Sequence, residues 1–253
     1  MEINFEKRGN AGILSICRPQ ALNALSRSIV NEIDELLEKI KDEDLSCLIL
    51  YSEGNFAAGA DIKDMAACNE EEAKSFSFSP TFNKIADLQI PVIAAIEGYA
   101  LGGGMELALT ADIRIAAEDA KMGFPEVTLG IFPGAGGTIR LPRLCGEAFA
   151  KELIFTGSIV DASRALQMGL VNQIAAHGKT LEGALRIAEK IGKNGPIAVR
   201  KAKKIIDDGL QEASKEKAIE AEAAAWAALF ETCDQKEGMK AFLEKRKPIF
   251  RNR

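Results

Sequence analysis

Two rhythms of apolar and polar positions run through the N-terminal part of the chain. Ile3–Lys7 and Gly12–Cys17 read as short strands on either side of Gly9-Asn10, a pair suited to a hairpin turn. Ile29, Ile33, Leu36, Leu37 and Ile40 recur at offsets of 4, 7, 8 and 11, which places them on one face of a helix, with Ser26 in position to cap it. Ser46–Tyr51 and Pro91–Ile96 are apolar on both faces, as strands in the middle of a covered sheet must be. Between them lie a loop with Gly54 and Gly59 and then a polar helix through about Asp87. Asp112–Ala116 reads as a further strand. This alternation predicts an α/β core with helices on both faces of a sheet. After about Asp161 the strand signals thin out to Leu170–Ile174. Leu181, Ala184, Leu185, Ala188 and Ile191 then mark one helix, and Ala- and Lys-rich helical patterns continue to the end. A boundary near Asn194-Gly195-Pro196 separates a core, residues 1–194, from a helical region, residues 195–253.

Composition narrows the chemistry. The 253 residues are 47% hydrophobic and 27% charged, the balance of an ordinary soluble globular protein. A single histidine, His177, rules out His₂ and His₃ metal sites and an H-E-x-x-H motif. A Ser-His-Asp triad would need His177 together with a G-x-S-x-G elbow, which does not occur. Acid–base work therefore falls to carboxylates, lysines, or the two tyrosines, Tyr51 and Tyr99. The net charge of −5 argues against a dedicated nucleic-acid binder. The stretch Asp234–Arg253 runs the other way, with seven basic and three acidic residues, which charge alone reads as a solvated helical face before an anion site. Cys17, Cys47, Cys68, Cys145 and Cys233 are odd in number and form no C-x-x-C, so free thiols in a reducing compartment are expected. The first ten residues form no apolar leader, and the uncharged run Leu88–Ile96 is too short to cross a bilayer. A cytoplasmic protein without a membrane partner is expected.

Three stretches are candidates for chemistry. Gly98–Ala111 carries one charge, Glu106, and three consecutive glycines, Gly102–Gly104, before an apolar helix. Such a triplet loses much backbone entropy on folding, so it needs a reason. One reason is a ligand approaching main-chain N–H groups; another is a tight strand-to-helix turn with packed backbones. Glu106 stands among Met, Leu and Ala, where desolvation raises a carboxyl pKa toward the range of a general acid or base. In the second stretch, Glu126 follows Pro125 and precedes Val127–Ile139, thirteen uncharged residues with four glycines. Two lone glutamates in such settings suggest a carboxylate pair that divides acid and base roles. The third stretch, Asn55–Asp61, is built of small residues that let a ligand or another backbone come close. Neither glycine cluster fits a dinucleotide fingerprint, and no P-loop is present.

Together these stretches resemble the enoyl-CoA hydratase (crotonase) family. The resemblance rests on Asn55-Phe-Ala-Ala-Gly-Ala-Asp-Ile-Lys63, Pro91-Val-Ile-Ala-Ala95, Gly98-Tyr-Ala-Leu-Gly-Gly-Gly104 and Pro133-Gly-Ala-Gly-Gly-Thr138. Arg18-Pro-Gln-Ala-Leu-Asn-Ala-Leu25 and the tail Glu237–Arg246 extend it along nearly the whole chain. It implies a crotonase-like spiral of repeated ββα units with a C-terminal α-helical trimerisation region, assembled as a homotrimer or a dimer of trimers. It implies an acyl-CoA thioester substrate and no metal or redox cofactor, coenzyme A being part of the substrate. By motif position, the N–H groups of Ala60 and Gly103 would form an oxyanion hole. Glu106 would act as base on a water beside C3, and Glu126 would exchange a proton at C2. Ala57, Ala58, Asp61 and Ile62 would line the substrate, and Gly134 would supply a main-chain contact near the water. Trp226 and Lys245 would approach the CoA of a neighbouring subunit. The filled glutamate pair points to a hydratase; double-bond isomerisation on the same fold and a non-catalytic binding protein are the alternatives. His177 matches no family catalytic position and is expected in a loop. The helix Asn69–Asp87, with Phe76, Phe78 and Phe82, is expected beside the acyl pocket.

Overall fold

The computed structural model describes residues 2–41 and 43–253. Its strands are Ile3–Arg8 (β1), Ala11–Ile16 (β2), Cys47–Tyr51 (β3), Val92–Ile96 (β4), Tyr99–Leu101 (β5), Ile113–Ala117 (β6), Lys121–Gly123 (β7), Ile159–Asp161 (β8) and Gln173–Ala175 (β9). The first two form the expected hairpin, antiparallel, with Gly9 at the positive φ of 60° that its turn requires. Strands β3, β4, β6 and the three-residue β9 add in parallel to give a six-stranded sheet in the order β1-β2-β3-β4-β6-β9.

The fully apolar strands are buried on both faces, and the two-residue period sorts their side chains. Ile13, Ile49, Ile93, Ala95 and Ile115 face Ala184 and Ala188 of Thr180–Gly192, the helix expected from the Leu181–Ile191 periodicity. Leu14, Leu48, Leu50, Ala94 and Ile96 face the other way. There they meet Ile29, Ile33 and Leu37 of Arg27–Ile40 (α1), whose cap Ser26 accepts a hydrogen bond from the Ile29 N–H. Each fully buried aliphatic side chain contributes about 1.5–3 kcal/mol.

The polar helix expected through Asp87 is instead three short ones: Ile62–Met65 (α2), Glu70–Ser75 (α3) and Ser79–Ala86 (α4). Local chemistry breaks it. Asn69 opens α3 with a capping box, bonding reciprocally with Glu72. Pro80, which has no N–H to give an interior turn, sits in the first turn of α4. The strand expected at Leu170–Ile174 begins later, at Gln173.

The second sheet was not anticipated. It has the order β5-β7-β8, and each of its strands is three residues long, too short to show a period. It matters because β5 leads through Gly102 into Gly103–Ala108 (α5), the helix that carries Glu106. The further helices are Gly137–Cys145 (α6), Glu147–Thr156 (α7), Ala162–Gln167 (α8), then Thr180–Gly192 (α9), Pro196–Gly209 (α10), Lys215–Ala228 (α11) and Cys233–Leu243 (α12). Beyond β9 the described residues form helices and turns.

The glycine triplet serves packing and turning at once. Gly102 has a φ of 50°. A β-carbon on Gly104 would lie 2.0 Å from the Ala57 carbonyl oxygen, so α5 and the Asn55–Asp61 loop touch backbone to backbone. Gly104→Ala should therefore force that loop away from α5, lowering stability by about 1–3 kcal/mol or more in urea denaturation. An unchanged midpoint would contradict the packing described.

Candidate active site

The Asn55–Asp61 loop is strung between three backbone segments. Phe56 and Ala57 N–H groups donate to the Glu97 and Tyr99 carbonyls, and the Leu101 N–H donates back to Ala57. Ala58 donates to Leu22, and Asp61 to Leu25. Leu22 and Asn23 both adopt positive φ, 51° and 58°, so that this turn can follow the loop. The buried Asn23 side chain donates to the carbonyls of Glu53 and Asn55, and accepts from the Arg18 N–H. The Arg18–Leu25 motif is thus the cradle of the loop, a role its sequence did not reveal.

One consequence is a pair of available donors. The Ala60 N–H has no main-chain acceptor among the described residues, because Gly59 and Asp61 carry the bonds to Leu25. Gly103 opens α5, so its N–H has no partner inside the helix. The two sit side by side: a β-carbon on Gly103 would lie 3.5 Å from the Ala60 nitrogen and 3.7 Å from the Phe78 ring. Two neighbouring main-chain N–H groups, Gly103 buried and Ala60 half-buried, are suited to stabilising negative charge on a ligand oxygen.

Glu106 is 3% exposed. Its Oε1 accepts the N–H groups of Ala135 and Gly137, each at 2.7 Å. Burial raises its pKa, while those two N–H groups and the charge of Arg140 oppose the rise. Gly137 must be small here, since a β-carbon would lie 3.0 Å from Oε1. Glu126 sits in the 3-10 turn Pro125–Leu129, with its carboxylate against Gly102, where a β-carbon would come within 2.8 Å of Oε1. Its Oε2 is buried and has no hydrogen-bond partner among the described residues. Burial, reinforced by the negative charge of Glu106, pushes its pKa up to about 7. Two carboxyls that feel each other thus differ in kind. Glu106 is supplied with donors for its ionised form; Glu126 is poised to hold a proton near neutrality.

The other expected site residues fall in two groups. Ala57 is buried, Ala58 half-buried and Ile62 exposed beside the Ala60 donor, while Gly134 is exposed in the loop that reaches Glu106. Asp61 commits its carboxylate to Arg18, at 2.8 Å, and to the Lys63 N–H. Trp226 is 62% exposed on α11, packed edge-on against Phe230, and Lys245 is exposed just after α12. The chain gathers Glu106, Glu126, Ala60 and Gly103 around the start of α5; Trp226 and Lys245 lie on the surface of the C-terminal helices. His177 lies in an exposed turn after β9, its Nδ1 2.9 Å from Asp119. Near it, Glu97 is buried but already accepts bonds from the Gly178 N–H and from the Thr180 N–H and hydroxyl, fastening the start of α9.

The enoyl-CoA hydratase/isomerase family pattern matches residues 6–253. The chain is 43% identical to the short-chain-enoyl-CoA hydratase of Clostridium acetobutylicum over 262 residues, covering 100% of both chains. It is also 43% identical to the crotonyl-CoA hydratase of Syntrophomonas wolfei, covering 98% of this chain and 97% of that one. Among solved structures, an enoyl-CoA hydratase from Bacillus anthracis superposes with a TM-score of 0.96 at 42% identity, over 100% of both chains.

The Arg18–Asp61 pair beneath the donor loop has a pH signature. Its hydrogen bond to Arg18, above all, holds the Asp61 carboxyl below its ordinary value. A depressed folded-state pKa gives stability that is present above the unfolded value, about 3.9, and is lost as pH falls through the folded value. Arg18→Met should reduce the melting temperature at neutral pH and flatten its decline on acidification. A variant with the wild-type acid dependence would contradict this.

Proposed function

The chain belongs to the enoyl-CoA hydratase/isomerase family and has the crotonase fold, and on that premise we propose that it is an enoyl-CoA hydratase. The reaction is the reversible addition of water across the trans-2 double bond of a short-chain enoyl-CoA, giving the 3-hydroxyacyl-CoA. The observation that carries this reading is a pair of desolvated carboxyls within charge range of each other, Glu106 held by two main-chain N–H groups and Glu126 with an unpartnered Oε2. Hydration needs a proton taken from water and another delivered to carbon. An isomerase reading leaves the second tuned carboxyl without a task.

In this reading the thioester oxygen sits between the Ala60 and Gly103 N–H groups. As hydroxyl adds at C3, negative charge moves through the conjugated system to that oxygen, where each preorganised donor is typically worth about 10²–10³ in rate. Ionised Glu106 takes the proton of the attacking water, and protonated Glu126 gives its proton to C2. Dehydration runs the same steps backward. Gly134 supplies a main-chain contact near the water, and Ala57, Ala58, Asp61 and Ile62 line the thioester and pantetheine. This acid–base scheme calls for no resident metal or redox group. The bound CoA belongs to the substrate.

The C-terminal helices leave Trp226, Met239, Phe242 and Leu243 exposed. These exposed apolar side chains support a homotrimer or a dimer of trimers in which Trp226 and Lys245 reach the CoA of a neighbouring subunit. No helix among the described residues is long and apolar enough to cross a membrane. We place the protein in the cytoplasm.

Steady-state hydration of crotonyl-CoA tests the scheme. Glu106→Gln and Glu126→Gln should each lower kcat by about 10²–10⁴ while leaving thermal unfolding close to wild type. In the hydration direction, wild-type kcat/KM should fall as pH rises through about 7, because Glu126 then loses the proton it must give. Full activity in either variant removes that residue from the chemistry.

A further inference from the structure

Arg140 stands on the first turns of α6 and is half-buried. Its Nη1 donates to the Ala135 carbonyl at 3.1 Å, and its Nη2 donates to Asn83 Oδ1 of α4 at 2.6 Å. Ala135 is also the residue whose N–H holds Glu106. Four residues before Asn83, on the same face of α4, the Ser79 hydroxyl donates to the Gly134 carbonyl at 3.2 Å. The loop that binds Glu106 is therefore gripped from behind at two carbonyls, both ultimately by α4. Gly136 makes this possible. It has a φ of 106°, and a β-carbon there would lie 2.0 Å from the Arg140 Nη1.

We propose that Arg140 is a positioning residue for the hydratase reaction: its guanidinium ties the Ala135 carbonyl to Asn83 and so keeps the Ala135 and Gly137 N–H groups on Glu106. A planar guanidinium can serve two acceptors in fixed directions, which an ammonium cannot. The cation also acts on the carboxylate through space. The charged groups around it are Glu106 from α5, Asp87 after α4 and Arg143 on its own helix. Arg140 favours ionised Glu106, the form that accepts the proton of water. The assignment rests on the hydratase reading for its kinetic meaning, but the tether itself concerns two amides and can be read without catalysis.

The test compares full-length wild type with Arg140→Gln, Arg140→Lys and Asn83→Ala. Two readouts are needed: the pH dependence of crotonyl-CoA hydration, and hydrogen exchange of the Ala135 and Gly137 amides by mass spectrometry with fragmentation. Arg140→Gln should lower kcat by about 10²-fold, the scale of an ångström-sized misplacement, with KM little changed. Loss of the positive charge raises the Glu106 pKa, so the acid limb of the profile should move to higher pH. Arg140→Lys should keep that limb near its wild-type position and recover part of kcat. Asn83→Ala should lower kcat less and leave the limb in place. In all three variants the two amides should exchange faster. Wild-type kcat, limb and exchange in a folded Arg140→Gln would overturn the proposal, as would a loss confined to KM. If Arg140→Gln does not fold, wild-type behaviour of the other two variants overturns it instead. A wild-type protein that fails to hydrate crotonyl-CoA sinks the hydratase reading, and the exchange measurement still decides the tether.

Discussion

The structure turns on one constraint: a carboxylate, Glu106, is almost fully removed from water and must be given donors from outside its own helix. An unpaired buried carboxylate is far more costly than a paired one, so the Pro133–Gly137 loop has to come in and meet it. That demand shapes its neighbours. Gly137 is small because Oε1 lies where its side chain would be, and Gly136 is small because Arg140 passes behind the loop. On the opposite side, Gly104 lets α5 press against Ala57, which brings Gly103 beside the free Ala60 N–H. The two neighbouring N–H donors and the Glu106 carboxylate are thus fixed by the same short helix, and a displacement of α5 would disturb both.

Glu126 gains its character from what it lacks. It has burial without main-chain donors to Oε2, and a negative neighbour in Glu106. One glutamate held by two donors from a neighbouring loop and one with an oxygen left unpartnered is a general physical route to an acid and a base of the same residue type. It also explains why a chain with a single histidine can carry out acid–base chemistry, and why that histidine lies in a surface turn paired with Asp119.

Much of this was legible in the sequence where a strong local signal existed. The long strands were readable because burial on both faces leaves uninterrupted apolar runs, and α1 because its apolar face and Ser26 cap agree. Glu106 and Glu126 stood out as solitary charges in apolar surroundings. Of the two explanations open for the glycine triplet, backbone packing is met at Gly104, while Gly103 leaves a main-chain N–H without a partner inside its helix. Other features had no local signal. The three-residue strands β5, β7 and β8 are held by pairings between distant segments. The single polar helix before Asp87 was overridden by the Asn69 capping box and by Pro80, signals present in the sequence but weaker than the polar pattern around them. Arg18, Asn23, Asn83 and Arg140 act through bonds to residues five to 57 positions away, which no periodicity records.

The account rests on Glu126 keeping its proton in a pH range where Glu106 is ionised. Carbon-13 NMR titration of the two glutamate carboxyl carbons, assigned by comparing wild type with the two glutamine variants, observes this directly in the free protein. Glu126 should carry its proton at pH 6 and release it with a midpoint near 7, and Glu106, whose Oε1 accepts two main-chain N–H groups that favour the ionised form, should ionise first. The reverse order, with Glu106 protonated while Glu126 is ionised, would contradict the assignment of base and acid and the mechanism built on it.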